Sequence, residues 1–146
     1  MLVERTRTVA APAEAVWDLV GDPWMLPRWW PAVQRVEEVT GAAWTNVLRS
    51  PRGKTVRADY TRTEYLTGRL IAWQQELAES PFEAILEEST TTIELEPDGE
   101  GATRVALSTE QKLRGRYRAG GAFLLRRATR RQLDEALDGI ERAVGA

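Results

Sequence analysis

One stretch limits the fold of this chain more than any other: Tyr117 to Val144, the only segment with a sustained helical period. Leu133, Leu137, Ile140 and Val144 recur at helical spacing and form one apolar stripe. Ala122, Arg126 and Thr129 continue that face towards the N-terminus, where it becomes more polar. A helix of roughly 27 residues is about 40 Å long, longer than a small domain is wide. It needs a large partner surface, and the strand-like middle of the chain is the one on offer.

That middle changes period from 3.6 to two. Leu2 to Val9 reads as a strand, and Ala11-Pro12 breaks it. Ala13 to Val20 follows as a short amphipathic helix, with Val16, Leu19 and Val20 on its apolar face and Trp17 beside them. Gly21-Asp22-Pro23 ends it, and Trp24 to Trp30 is a second short, irregular helical piece stopped by Pro31. Alternating segments then run from Val33 to Val39, Ala43 to Arg49, Lys54 to Leu66, Arg69 to Leu77, Phe82 to Leu95 and Thr103 to Leu113. Turn residues separate them, most clearly Pro97-Asp98-Gly99-Glu100-Gly101. Hairpin-sized connections make the run antiparallel. A sheet of about seven such strands twists and curls around a helix laid across it. The class is α+β, with the helices segregated to one face. The whole chain, 1–146, reads as a single domain.

Composition narrows the chemistry. Apolar residues make up 42% and charged residues 29%, as in ordinary globular domains. No apolar run approaches the ~18 residues of a membrane span. The start, MLVERTRTVA, carries charges where a secretory signal would be apolar, so a cytoplasmic location is expected. The chain has no Cys and no His. Disulfides, thiol nucleophiles, imidazole triads and most zinc chemistry are therefore excluded, and no metal or cofactor is expected.

Several segments together resemble the START-like (SRPBCC) superfamily. Val9-Ala10-Ala11-Pro12-Ala13-Glu14-Ala15-Val16-Trp17 is similar to its opening strand, Ala-Pro break and Val-Trp helix. Pro27-Arg28-Trp29-Trp30-Pro31-Ala32-Val33 is similar to its Trp-Pro-x-Val segment. Pro97-Asp98-Gly99-Glu100-Gly101-Ala102-Thr103-Arg104-Val105 resembles its Asp-Gly-x-Gly-Thr-Arg-Val hairpin, with Ala102 inserted. The branch it resembles most is the bacterial polyketide cyclase/dehydrase and lipid-transport-like group. The resemblance implies a helix-grip (Bet v 1-like) fold: a curved sheet wrapping the C-terminal helix around a cavity for a hydrophobic or amphipathic small molecule. Carriers, receptors and aromatic cyclases share that fold, so it does not fix the function.

Candidate site residues follow from the strand faces. The six Trp, at positions 17, 24, 29, 30, 44 and 73, offer broad rigid surface for either a core or a pocket. Trp17 suits the core, whereas Trp30 and Trp73 suit a pocket wall. One face of the Lys54 strand carries Tyr60, Arg62 and Glu64, the Arg69 strand adds Gln75, and the last strand adds Leu107, Thr109 and Gln111. From the helix, Arg126, Thr129 and Leu133 complete the expected lining. The polar members either meet a ligand or pair with one another and with water. On an enzyme reading, Glu64 or Tyr60 is the acid/base group and Arg62 holds an enolate or carboxylate, as a cyclase or dehydratase would need.

Charge gives a further candidate. Of 20 Lys and Arg, eight lie between Lys112 and Arg131 with no acid among them, leaving 12 against 22 Asp and Glu elsewhere. Arg126 and Arg130, like Arg127 and Arg131, are i,i+4 neighbours that repel. Pairing with Glu83, Glu87 and Glu88 offsets this on one reading. Contact of Arg126, Arg127, Arg130 and Arg131 with an anionic membrane offsets it on another. Nucleic acid is not expected at a sequence pI near 5.4 without a recognition motif. Monomer and homodimer both remain open.

Overall fold

Alternation produces seven strands, seen in a computed structural model that describes residues 1–117 and 120–145. They are β1 (Leu2–Val9), β2 (Val33–Thr40), β3 (Ala43–Arg49), β4 (Thr55–Leu66), β5 (Leu70–Glu76), β6 (Leu86–Pro97) and β7 (Thr103–Leu113). They form one antiparallel sheet in the order β1-β7-β6-β5-β4-β3-β2. The first two strands are thus the two edges, and the chain must cross the whole sheet between them. It crosses as α1 (Ala13–Val20), a 3₁₀ turn (Pro23–Met25) and α2 (Leu26–Trp29). The long helix α3 (Gly120–Val144) packs against β1, β7, α1 and α2. This is the helix-grip arrangement, a curved sheet holding its terminal helix.

Two motif segments meet at one hydrogen bond. Thr103, fully buried at the start of β7, donates from its hydroxyl to the Ala11 carbonyl at 2.8 Å. The Ala-Pro break and the β6–β7 hairpin are thereby fastened together, which is a structural role. The Trp-Pro segment has one too. A Cβ on Gly139 of α3 would lie 2.2 Å from the Trp29 carbonyl oxygen, so only glycine lets α2 and α3 approach this closely.

The stripe on α3 buries Leu133, Ala136, Leu137 and Ile140 in the main core, together with residues from α1, α2 and every strand but β4, whose Tyr60 packs against it partly buried. A separate small cluster closes the other end of the groove. It comprises Leu77, Leu86 and Leu113, with Phe82, Tyr117, Ala122 and Leu125 packed on it. Outside the core, Arg5 pairs with Asp134 at 2.8 Å, and Arg7 with Asp138 at 2.5 Å and Glu141 at 2.6 Å, bracing β1 to α3.

Two boundaries differ from expectation by more than two residues. β6 begins at Leu86, not Phe82: the Phe82 amide donates to the Ser80 hydroxyl, and the amides of Ile85 and Leu86 both donate to the Phe82 carbonyl, winding this segment into a turn. The helix begins at Gly120, with Tyr117 in a separate 3₁₀ turn, Gly115–Tyr117. Arg118 of the basic segment lies outside the described residues. Among the described residues, no helix is long and apolar enough to cross a membrane.

Candidate functional site: a cavity between two cores

The groove between sheet and helix is mostly filled. What remains open is a cavity of about 260 Å³ between the main core and the small cluster. An aromatic wall forms one boundary. Trp30 at the end of α2 meets Trp73 of β5 edge-on at 5.6 Å, and Trp29 and Trp44 pack behind them at 5.4 Å and 6.0 Å from their nearest partners in the cluster. Tyr60 of β4 stacks on Trp44 at 6.0 Å, with the rings 15° from parallel. Phe82, Leu86 and Leu125, all from the small cluster, form the opposite boundary. The exposed residues Ala128 and Gln132 of α3 stand at the mouth.

Strand register brings the polar groups together. Tyr60 pairs with Gln75, Trp73 with Thr91, Thr91 with Thr109, and Ser89 with Gln111, so these residues share the concave face. The Thr91 and Thr109 hydroxyls are 3.2 Å apart, and Thr129 of α3 donates to Gln111 at 3.1 Å. Among the described residues, no such side-chain hydrogen bond engages Tyr60, Gln75, Ser89 or Gln132. Their donors and acceptors are left for a guest or for water. Among the described residues, fifteen line the cavity; eight of these are polar and none is charged.

Burial pushes the Tyr60 hydroxyl up to about 12 from an ordinary 10.0. The surface it still exposes borders the cavity. It is therefore a neutral hydrogen-bonding group at physiological pH and a poor base. Among the described residues, no group of three or more His, Cys, Asp or Glu side chains is placed to hold a metal.

Seven of the residues expected at the site line this one cavity: Trp30, Tyr60, Trp73, Gln75, Thr109, Gln111 and Thr129. Five do not. Leu107 and Leu133 are completely buried in the main core, with no face on the cavity. Arg126 lies half-buried, its guanidinium 3.5 Å from the Leu2 carbonyl. Arg62 and Glu64 flank a β-bulge. Arg62 pairs with Trp73 but Glu64 pairs with Ala72, so Thr63 is an extra residue and side-chain parity flips there. Arg62 remains on the concave side but lays its guanidinium over the Tyr65 ring at 4.2 Å. Glu64 turns to the convex side and is exposed, away from the cavity, while Tyr65 takes the inner side and meets Trp17 at 5.4 Å.

The sequence reading also missed lining residues. Ser89 and Thr91 follow from β6, whose face Ser89-Thr91-Ile93-Leu95 is in register with Gln111-Thr109-Leu107-Val105. Leu48 shares the β3 face of Trp44, whereas Phe82, Leu86, Leu125, Ala128 and Gln132 are brought to the cavity only by the tertiary fold.

Comparison with known proteins agrees with this architecture. Residues 2–145 match the model of the family described as polyketide cyclase/dehydrase and lipid transport, and the chain belongs to that family. No curated protein matches it by sequence. Among solved structures it is similar to a START superfamily protein from Mycobacterium smegmatis, at 14% identity and a TM-score of 0.80, covering 99% of this chain and 97% of that one. It is also similar to the Zhui aromatase/cyclase from Streptomyces sp. R1128, at 21% identity and 0.70, covering 99% and 90%. The di-domain aromatase/cyclase BexL of the BE-7585A biosynthetic pathway matches at 23% identity and 0.83, over 99% of this chain but 46% of that one. At these identities the structural likenesses show the shared fold.

Proposed function

We propose that the protein binds, as a carrier or sensor, a small uncharged molecule of one or two fused rings bearing hydroxyl or carbonyl groups. The observation that carries this reading is the lining: half aromatic and aliphatic, half hydroxyl and amide, and without a single charge among the described residues. An apolar cavity of about 150 Å³ holds one benzene ring. A cavity of about 260 Å³ suits a bicyclic guest better than a lipid with a long tail and charged head. A flat ring system stacks on Trp30 and Trp73, and its oxygens take the free capacity of Tyr60, Gln75 and Ser89. Family membership and the aromatase/cyclase neighbours agree with an oxygenated aromatic guest.

Binding is favoured over catalysis because no lining group among the described residues can exchange a proton readily near neutral pH. The expected acid/base residue Glu64 faces away, and Tyr60 is held neutral by burial. A cyclase acting here would work through shape alone.

Native mass spectrometry of the protein as purified tests the reading. The expected result is a neutral adduct lost in Ala128→Trp, which fills the mouth from an exposed position and leaves the fold intact. An adduct retained by that variant, or a charged lipid as the adduct, would overturn the reading.

A further inference from the structure

The outer face of α3 changes character along its length. Its C-terminal half carries Asp134, Asp138 and Glu141, all engaged by Arg5 and Arg7 of β1. Its N-terminal half presents Phe123 and Leu124 with relative exposures of 70% and 65%, the most exposed large apolar side chains described in the chain. Arg127, Arg130 and Arg131 surround that pair on the same helical face. Arg127 and Arg130 have no carboxylate within ion-pair distance among the described residues. Among the described residues, Arg131 pairs only with Glu135, one turn away at 3.0 Å. The acids expected to neutralise this segment are engaged elsewhere or stand apart. Glu87 pairs with Lys112 at 3.3 Å, the Glu83 carboxylate accepts from the Glu79 amide at 2.9 Å, and Glu88 has no ion pair among the described residues.

This patch adjoins the cavity mouth. A groove of about 550 Å³ is lined by Leu124, Arg127 and Arg131 on one side and by Pro31, Ala32 and Pro51 on the other. It shares Ala128 and Gln132 with the cavity.

We propose that the N-terminal half of α3 docks the protein on an anionic lipid surface, with the cavity mouth turned towards the bilayer. Phe123 and Leu124 enter the headgroup boundary, while the arginine stems lie along it and their guanidinium groups meet lipid phosphates. Charge supplies the orientation. The rest of the chain is acidic, so it is repelled from the surface that attracts this end. An acidic protein partner would satisfy the arginines, but Phe123 and Leu124 project from the surface largely exposed, which fits a fluid apolar boundary better than a fixed one. The docking stands independently of what the cavity holds.

Sedimentation of the full chain with phosphatidylglycerol-containing and pure phosphatidylcholine vesicles is the test. Binding is expected only with phosphatidylglycerol, and to fall as salt rises from about 0.01 to about 0.5 M and the Debye length contracts. Arg127→Glu with Arg130→Glu should weaken it about tenfold or more. Because the chain has no cysteine, Leu124→Cys can carry a polarity-sensitive fluorophore. Its emission should shift to the blue on anionic vesicles, while the same label at Glu100→Cys, in the β6–β7 hairpin, should not move. No binding to anionic vesicles, equal binding to neutral ones, an unaffected double variant, or equal shifts at both labels would each overturn the proposal.

Discussion

Gly139→Ala is the smallest change that should disturb both the fold and the cavity wall. Gly139 is buried in α3, under the backbone of α2. The added Cβ would sit 2.2 Å from the Trp29 carbonyl oxygen and 2.9 Å from its Cα and carbonyl carbon, whereas real Cβ contacts essentially never fall below 3.0 Å. The obstacle is backbone, so no rotamer change relieves it, and α2 must move by at least the missing 0.8 Å. Overpacking of this kind costs about 1–3 kcal/mol, and a helix rigid on both sides belongs at the upper end. Alanine recovers about 1 kcal/mol of helix propensity relative to glycine. The net loss is therefore about 1–2 kcal/mol, or a Tm lower by roughly 2–8 °C in a domain of this size. Trp30 follows Trp29 directly and should shift with it, so tryptophan fluorescence should change along with the melting curve. Gly120→Ala, where an added Cβ meets nothing within 4 Å, is the control and should not lower stability. A Gly139→Ala protein as stable as the parent, with the same emission, would refute the tight α2–α3 contact.

Other outcomes can be checked alongside. Tyr60 is raised in the folded protein to about 12 from 10.0, so above pH 10 the unfolded chain loses this proton before the folded one does. Stability from this residue is fully present below pH 10 and should fall by about 2 kcal/mol as pH rises towards 12, a slope that Tyr60→Phe should remove in urea titrations. Arg7 has a raised pKa, chiefly through its hydrogen bond to Asp138, with Glu141 adding to it. Arg7→Ala should cost about 1 kcal/mol or less in partly exposed pairs, and less still in high salt, measured by thermal denaturation at two ionic strengths.

Much of the architecture was legible because alternation and helical period are local. β3 and β7 run between the residues expected, and the stripe Leu133-Leu137-Ile140 is buried as its spacing requires. The site was legible where a strand stays regular. Trp73 with Gln75, and Thr109 with Gln111, reached the cavity by simple parity. It failed at Thr63, because no Gly or Pro announces the bulge that sends Glu64 outward. It failed again at Phe82, where Ser80 and the preceding Pro81 wind a turn out of what reads as strand. The hollow itself is less apolar than the aromatic content suggested. Ser89, Thr91 and Gln132 join the polar set only through register and helix placement. The basic segment was visible from charge alone. Its exposure beside Phe123 and Leu124 was not, because that depends on which face α3 turns to the sheet.

A matched pair of ligands tests the central claim most directly. Isothermal titration at neutral pH should show 1,8-dihydroxynaphthalene binding to the protein but not to Ala128→Trp. 2-Naphthoate should bind about 100-fold more weakly or not at all, because a carboxylate in this uncharged lining would be desolvated without a counter-charge. Equal affinity for the two, or diol binding that survives the blocked mouth, would contradict an uncharged site in the cavity between the two cores.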